Sequence, residues 1–436
     1  KNERITASLD GVWLTGLYEG AFFHAYDGDA VLADKPAPVP GIIDEKDISA
    51  AGLEPETLCA VYKRAFVIDG MSDEDIAVLE LLGARYSRRV FVNGEFAGSY
   101  NYDYSASRFD VTRFLRDGEN EIVILLGGIS ESDIPAAGAN PGITDSVNLI
   151  ITGGAFIGNI KSAPSVEDGT VLITAEIENF TSEELTETVN FTVYELGIVE
   201  DGVSSVHTGC GFLSSDVTVL PGEKKSAAQV NIKIRDFSME KCWSPENPYL
   251  YEIEVRTGSD TKRLRVGIRE LTADGEKNDT LLNGSRIFFT GTVLDFNKLS
   301  ADSSNVWNAA WVKSLFREFK KINWIAVKSS QGMLPSVWYD AADELGLLLI
   351  AEYPLGGVPN DDAEKEIKAS SVLEEIYIIM DELYNHPSVI IWDISGENGV
   401  SGISTDIIRT ARSYDIQNRP WNNGLSAPEG TNDLVE

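Results

Sequence analysis

A chain of 436 residues with 69 acidic against 36 basic side chains carries a formal charge of −33, and 43% of it is hydrophobic. That length points to about three domains with packed cores, which excludes a disordered or fibrous chain. The negative field repels phosphate backbones and anionic headgroups, so it argues against nucleic acid or a membrane as partner.

Cys59, Cys210 and Cys242 show no C-x-x-C spacing, and neither a zinc site nor a disulfide framework is expected. Lys1 opens the chain without Met or an apolar leader, so any targeting segment is expected to have been removed or to lie outside this sequence.

Residues 1–158 read as short strands between turns, among them Val61 to Ile68, Ile76 to Leu82, Arg89 to Val92 and Glu121 to Leu126. Asn93-Gly94 between two apolar runs fits a type I′ hairpin turn. The polar segment from Asp27 to Pro55 has little periodicity and is expected to meander as a loop. From 159 to 272 the alternation is cleaner: Val171, Ile173, Ala175 and Ile177, then Val230, Ile232 and Ile234, then Tyr251, Ile253 and Val255. Such runs suit an immunoglobulin-like sandwich.

From 273 to 436 the pattern alternates. A strand is expected at Arg286 to Thr290, a helix at Ala309 to Lys321, and a strand at Trp324 to Val327. There follow a helix at Ser336 to Leu345, a strand at Leu347 to Ala351, a helix at Val372 to Tyr384, a strand at Val389 to Trp392 and a helix at Thr405 to Tyr414. This order argues for a parallel sheet, and its four strands make half of a (β/α)₈ barrel, which as a whole takes about 250 residues. The fold class is multidomain β plus α/β: a jelly-roll sandwich, an immunoglobulin-like sandwich and a partial TIM barrel.

Phosphate-loop, dinucleotide, H-E-x-x-H and G-x-S-x-G motifs are missing, and only His24, His207 and His386 are present. His386 sits at a helix-to-strand junction, where a structural role is expected. Carboxylates are left as acid and base groups. Glu352 and Glu397 each end or follow an apolar strand, the position where barrel enzymes keep their chemistry, although an acidic residue there also serves as a helix cap.

Three separated segments resemble glycoside hydrolase family 2, the β-galactosidase, β-glucuronidase and β-mannosidase group. The first comprises Arg89-Val-Phe-Val-Asn-Gly-Glu-Phe-Ala-Gly98, Phe109-Asp-Val-Thr112 and Gly118-Glu-Asn120. The second is Trp243-Ser-Pro-Glu-Asn-Pro-Tyr-Leu-Tyr251 with Val266-Gly-Ile-Arg-Glu270. The third joins Trp338-Tyr-Asp-Ala-Ala-Asp-Glu-Leu-Gly346 and Glu352 to His386-Pro-Ser-Val-Ile-Ile-Trp392 and Glu397. The resemblance implies that Glu397 is the general acid/base of a retaining, exo-acting, β-galactosidase-like glycosidase. It implies sugar contacts from Glu352, Trp392, Lys328, Gln331 and Asp393, with Trp392 equally open to a core role. It implies no required cofactor, though a structural Mg, Na or Ca ion accompanies many members.

Partners would be an oligosaccharide or polysaccharide fragment, and a second copy or a complementary chain segment. The compartment would be periplasmic or secreted, with the cytoplasm left open.

Two positions depart from the family. Gly396 stands where an Asn usually precedes the acid/base, and Lys328 stands for an Arg, so an amide and a planar fork are lost. The family nucleophile is expected beyond Glu436, which would leave the 436-residue chain inactive alone. Two alternatives stay open: a non-catalytic carbohydrate-binding or scaffold protein derived from the family, and an enzyme using Glu352 and Glu397 as its complete pair.

Overall fold

The computed structural model describes residues 4–19, 33–53, 58–72, 74–127, 140–199, 202–221, 226–274, 279–330, 332–355, 362–394 and 402–422. The first unit is a sandwich of two antiparallel sheets. One runs Lys35–Val39, Gly11–Glu19, Leu58–Ile68, Gly118–Gly127, Arg88–Val92 and Glu95–Tyr100; the other runs Ile5–Ser8, Val147–Thr152, Ile76–Leu81 and Ser107–Asp110. Asn93 and Gly94 both take positive φ, 50° and 82°, and turn one strand of the larger sheet into the next. The Asn93 side chain is then held by the carbonyl of Phe114, Asn120 Oδ1 and the Glu121 amide.

The expected loop over Asp27 to Pro55 is corrected in its described part. Lys35–Val39 forms an edge strand, and Glu45–Ala51 forms a helix capped by Asp44 and ended by Gly52 at φ 69°. Pro36 and Pro38 hide the strand from a propensity reading, yet an edge position tolerates them because one row of N–H groups has no ladder partner there.

The second unit packs three strands, Ala155–Ser165, Thr170–Asn179 and Ser226–Lys233, against four, Gly202–Val219, Leu185–Val199, Tyr251–Arg256 and Thr261–Val266. The alternating residues Val171, Ile173, Ala175 and Ile177 all point into its core. The sandwich takes in its first strand already at Ala155.

The first expected barrel strand is also corrected. Asn283 and Gly284, at φ 50° and 76°, fold Ser285–Arg286 back onto Asp279–Leu282, in a small antiparallel sheet with Leu271–Asp274. The parallel sheet starts later, with β1 at Gly291–Asp295, followed by β2 at Ala326–Ser330, β3 at Leu348–Glu352, β4 at Val389–Asp393 and β5 at Trp421–Asn422. A Cβ on Gly291 would lie 1.7 Å from the Ala326 carbonyl oxygen, so the β1–β2 pairing needs a glycine there. The short β5 joins the four strands read from the pattern, and it lies in Arg419-Pro-Trp-Asn-Asn-Gly424, which resembles the start of the family's fifth barrel strand.

The connecting helices are α1 (Phe296–Asp302), α2 (Ala309–Lys321), α3 (Ser336–Leu345), α4 (Asp362–Leu383) and α5 (Gly402–Ala411). Asn308 caps α2, which buries Val312 and Phe316; α3 ends on Gly346 at φ 72°. No described helix is long and apolar enough to cross a membrane.

Buried polar groups tie the sandwiches to the barrel. Arg269 donates to the carbonyls of Pro387 (3.0 Å) and Val389 (2.8 Å) at the entry to β4, and the Trp243 indole donates to Asp343 O at 2.8 Å. From the jelly roll, Tyr86 and Tyr104 enter the barrel's own hydrophobic core. A cavity of about 670 Å³ lies where the three units meet.

Candidate active site

Parallel pairing puts Glu352 level with Asp393 at the C-terminal ends of β3 and β4. Both carboxylates are buried, at 4% and 1% exposure, where an unpaired charge would be costly. Lys328, on the adjoining strand β2, supplies the counter-charge. Its ammonium lies 2.8 Å from Asp393 Oδ2 and 3.4 Å from Glu352 Oε2. Asn422 of β5 donates to the same Asp393 oxygen at 2.8 Å, while Ser329 Oγ accepts from the Glu352 amide. Four neighbouring strands thus contribute to one cluster.

Three of the residues singled out from the sequence, Lys328, Glu352 and Asp393, are therefore in one cluster. Trp392 is 3% exposed and belongs to the core. Its indole donates to Asp415 Oδ2 at 2.8 Å, and its ring lies 4.4 Å under the Arg419 guanidinium and 6.3 Å from the Trp421 ring. Glu397 and Gln331 lie outside the described residues.

The support around the cluster escaped the sequence reading. Burial works against the charge on Asp415, yet the Arg419 guanidinium at 2.7 Å and the Trp392 indole hold its pKa below the usual carboxylate range. The signal was present as an acid and a base four residues apart. Tyr353, directly after Glu352, donates its hydroxyl to Glu375 Oε2 at 2.7 Å and its amide to the Asp393 carbonyl. Glu375 Oε1 in turn accepts from the amides of Tyr104 and Ser105, so the jelly roll is fastened at the barrel's mouth.

His386 has the junction role expected of it. Its Nδ1 lies 2.6 Å from Asp343 Oδ2, and Asp343 also accepts from the Ser388 amide. Asp340, Asp343 and His386 offer ligand atoms within 4.8 Å of one another. Each is already engaged, Asp340 by Arg265 at 2.7 Å and the other two mutually, so hydrogen bonding accounts for the group.

Two β-sandwiches leading into a parallel barrel sheet, with carboxylates gathered at the ends of its strands, define a modular barrel protein. Family models then specify it: Glycosyl hydrolases family 2 matches residues 155–269, and the TIM barrel domain of the same family matches 276–422. The chain belongs to glycosyl hydrolase family 2.

Among curated relatives, a β-galactosidase of Staphylococcus xylosus is 22% identical over 374 residues, covering 82% of this chain and 35% of its own length. The β-galactosidase BgaC of Bifidobacterium adolescentis is 24% identical over 414 residues, covering 86% and 38%. The chain thus spans between a third and two-fifths of the length of these relatives. Among solved structures, a Bacteroides uniformis β-glucuronidase superposes with a TM-score of 0.75 at 18% identity, over 97% of this chain and 52% of that one. A family 2 β-galacturonidase from Eisenbergiella tayi, bound to galacturonate, gives 0.76 at 20%, over 97% and 72%. These superpositions show a shared fold.

Proposed function

We propose that this chain supplies the sandwich domains and the first barrel strands of a retaining, exo-acting β-glycosidase, which removes the sugar at the non-reducing end of a β-linked oligosaccharide. The observation that carries the reading is the Lys328 bridge between Glu352 and Asp393. It sits at the C-terminal ends of parallel barrel strands, the face where such folds hold their reacting groups.

In this reading Glu397 protonates the glycosidic oxygen as its bond to the anomeric carbon breaks. A second carboxylate, about 5 Å away and assigned to chain beyond Glu436, forms the glycosyl-enzyme. Glu397 then takes a proton from the water that hydrolyses it. Galactose is the sugar expected from the sequence, and the β-galactosidases among the relatives support it. Structures named for uronic-acid substrates support the alternative.

Glu397→Gln in the full-length protein tests the assignment. Turnover of β-glycosides with poor leaving groups should fall by roughly 10²–10⁴-fold, and that of activated aryl glycosides far less, because the latter need little protonation. Equal loss on both classes would remove Glu397 from this role.

A further inference from the structure

We propose that Arg85 is a specificity-determining residue, whose guanidinium recognises the carboxylate of a uronic acid bound at the mouth of the barrel. The proposal rests on the glycosidase reading above and names the substrate class.

Position comes first. Arg85 belongs to the jelly roll, and its backbone is pinned by reciprocal hydrogen bonds with Gly142, at 2.8 and 3.2 Å. Its side chain crosses to the barrel. The guanidinium carbon is 5.6 Å from the centroid of the Phe296 ring, and a Cβ on Gly332 would lie 2.7 Å from Nη2. Phe296 directly follows β1, and Gly332 lies just past the end of β2. The guanidinium therefore stands over the same end of the sheet as the Lys328 cluster.

Its bonding state is the second observation. Arg85 is 2% exposed, and neither Nη1 nor Nη2 has a hydrogen-bond partner among the described residues. Asn297 Oδ1, which would lie 3.3 Å from the same Cβ on Gly332, is also buried and has no hydrogen-bond partner among the described residues. Asp295 favours the cation through space, but it offers no hydrogen bond to these nitrogens; its Oδ1 caps α1 by accepting from the Lys298 amide. A buried guanidinium left this way costs several kcal/mol. A carboxylate would offset that cost, because its two oxygens match the two parallel N–H donors of the fork. A neutral hydroxyl could take one donor and would leave the charge uncompensated.

Charge balance points the same way. The Lys328 ammonium is already shared by two carboxylates, and the chain as a whole carries −33. An anionic sugar entering this site needs a cation not yet committed to a protein carboxylate. One guanidinium out of water acts more strongly on it than the distant surface charge, which salt screens over about 8–10 Å.

The test titrates glucuronate, galacturonate and galactose into the full-length protein and its R85M and R85K variants by calorimetry, with thermal unfolding as the check on folding. Wild type should bind at least one uronate tenfold or more tighter than galactose. R85M should close that gap by weakening uronate binding at least tenfold more than galactose binding, and R85K should restore part of it, since it returns the charge without the fork. R85K carries the comparison if R85M does not fold. No uronate preference in wild type, a preference that survives the substitution, or an equal loss for all three sugars overturns the proposal. Hydrolysis is read separately. Cleavage of neutral glycosides without an Arg85-dependent uronate preference sinks this proposal alone, and Arg85-dependent uronate binding without any hydrolysis sinks the glycosidase reading alone.

Discussion

One ammonium, that of Lys328, serves two carboxylates from successive strands, 2.8 Å from Asp393 and 3.4 Å from Glu352. The geometry accounts for a lysine where the family resemblance leads one to expect arginine. A compact point charge fits between two acids, whereas a planar fork favours one carboxylate held in two places. Lys328→Met should remove the ammonium that both buried acids share and lower unfolding free energy by about 3–5 kcal/mol. Urea denaturation at neutral pH measures it, and a loss below about 1 kcal/mol would mean that the bridge is not a stabilising contact.

A pH-dependent tie holds α3 to the entry of β4. Burial works against charge on His386, but Asp343 beside it leaves the pKa above the ordinary value of 6.5. A histidine pKa raised by folding contributes stability that is fully present below pH 6.5 and fades as pH rises through the folded value. Asp343→Asn should flatten that dependence and cost about 1.5–3 kcal/mol at pH 6. Melting temperatures at pH 5.5, 6.5 and 8 decide it; parallel curves for the two proteins would remove the linkage.

Arg269 makes a second tie, donating from the sandwich to the carbonyls of Pro387 and Val389. Burial, and then the charge of Arg419, push its pKa down to about 9, which still leaves it charged at neutral pH. Arg269→Met removes two charged donors, takes the side-chain donor from the Pro387 carbonyl and leaves Val389 O to the longer 3.5 Å bond from Arg419 Nη1, so a loss of about 2–4 kcal/mol is expected by denaturant titration. A neutral substitution would show that the interface closes without it.

How far the sequence could be read follows from the range of each signal. Helices α2 and α3 were legible to the residue, because Asn308, Gly346 and the spacing of Val312 and Phe316 are all local. The start of the parallel sheet was misplaced because the apolar run Ile287-Phe288-Phe289 resembles a strand. Asn283-Gly284 just before it was the better guide, being the same turn pair that was recognised at Asn93-Gly94. At the site, Glu352 could be placed at a strand end, whereas Asp393 entered only through the family resemblance. The Lys328 bridge depends on parallel register, which no local pattern encodes. Arg85 and Glu375 are further out of reach, since each acts across a domain boundary.

Glu375 is the strongest case of such action. The side chain is 2% exposed, and its Oε1 accepts from the amides of Tyr104 (2.6 Å) and Ser105 (3.0 Å) and from Ser105 Oγ (3.2 Å). Its Oε2 accepts the hydroxyl of Tyr353, and the charge of the fully buried Arg88 faces it. Glu375→Ala would take the acceptor from two backbone donors and two hydroxyls and would weaken the compensation of Arg88, whose Nε and Nη1 already lack hydrogen-bond partners among the described residues. A loss of about 3–5 kcal/mol is expected, the range for breaking a buried charged network. The location of the loss is the sharper test. Hydrogen exchange at the Tyr104 and Ser105 amides should accelerate markedly, because their acceptor is gone. Amides of Thr170–Asn179, in the middle of the second sandwich, should keep their protection, since no contact of Glu375 reaches them. Faster exchange throughout both sandwiches would mean that Glu375 supports the fold as a whole, and unchanged exchange at Tyr104 would mean that the jelly roll is docked by other contacts.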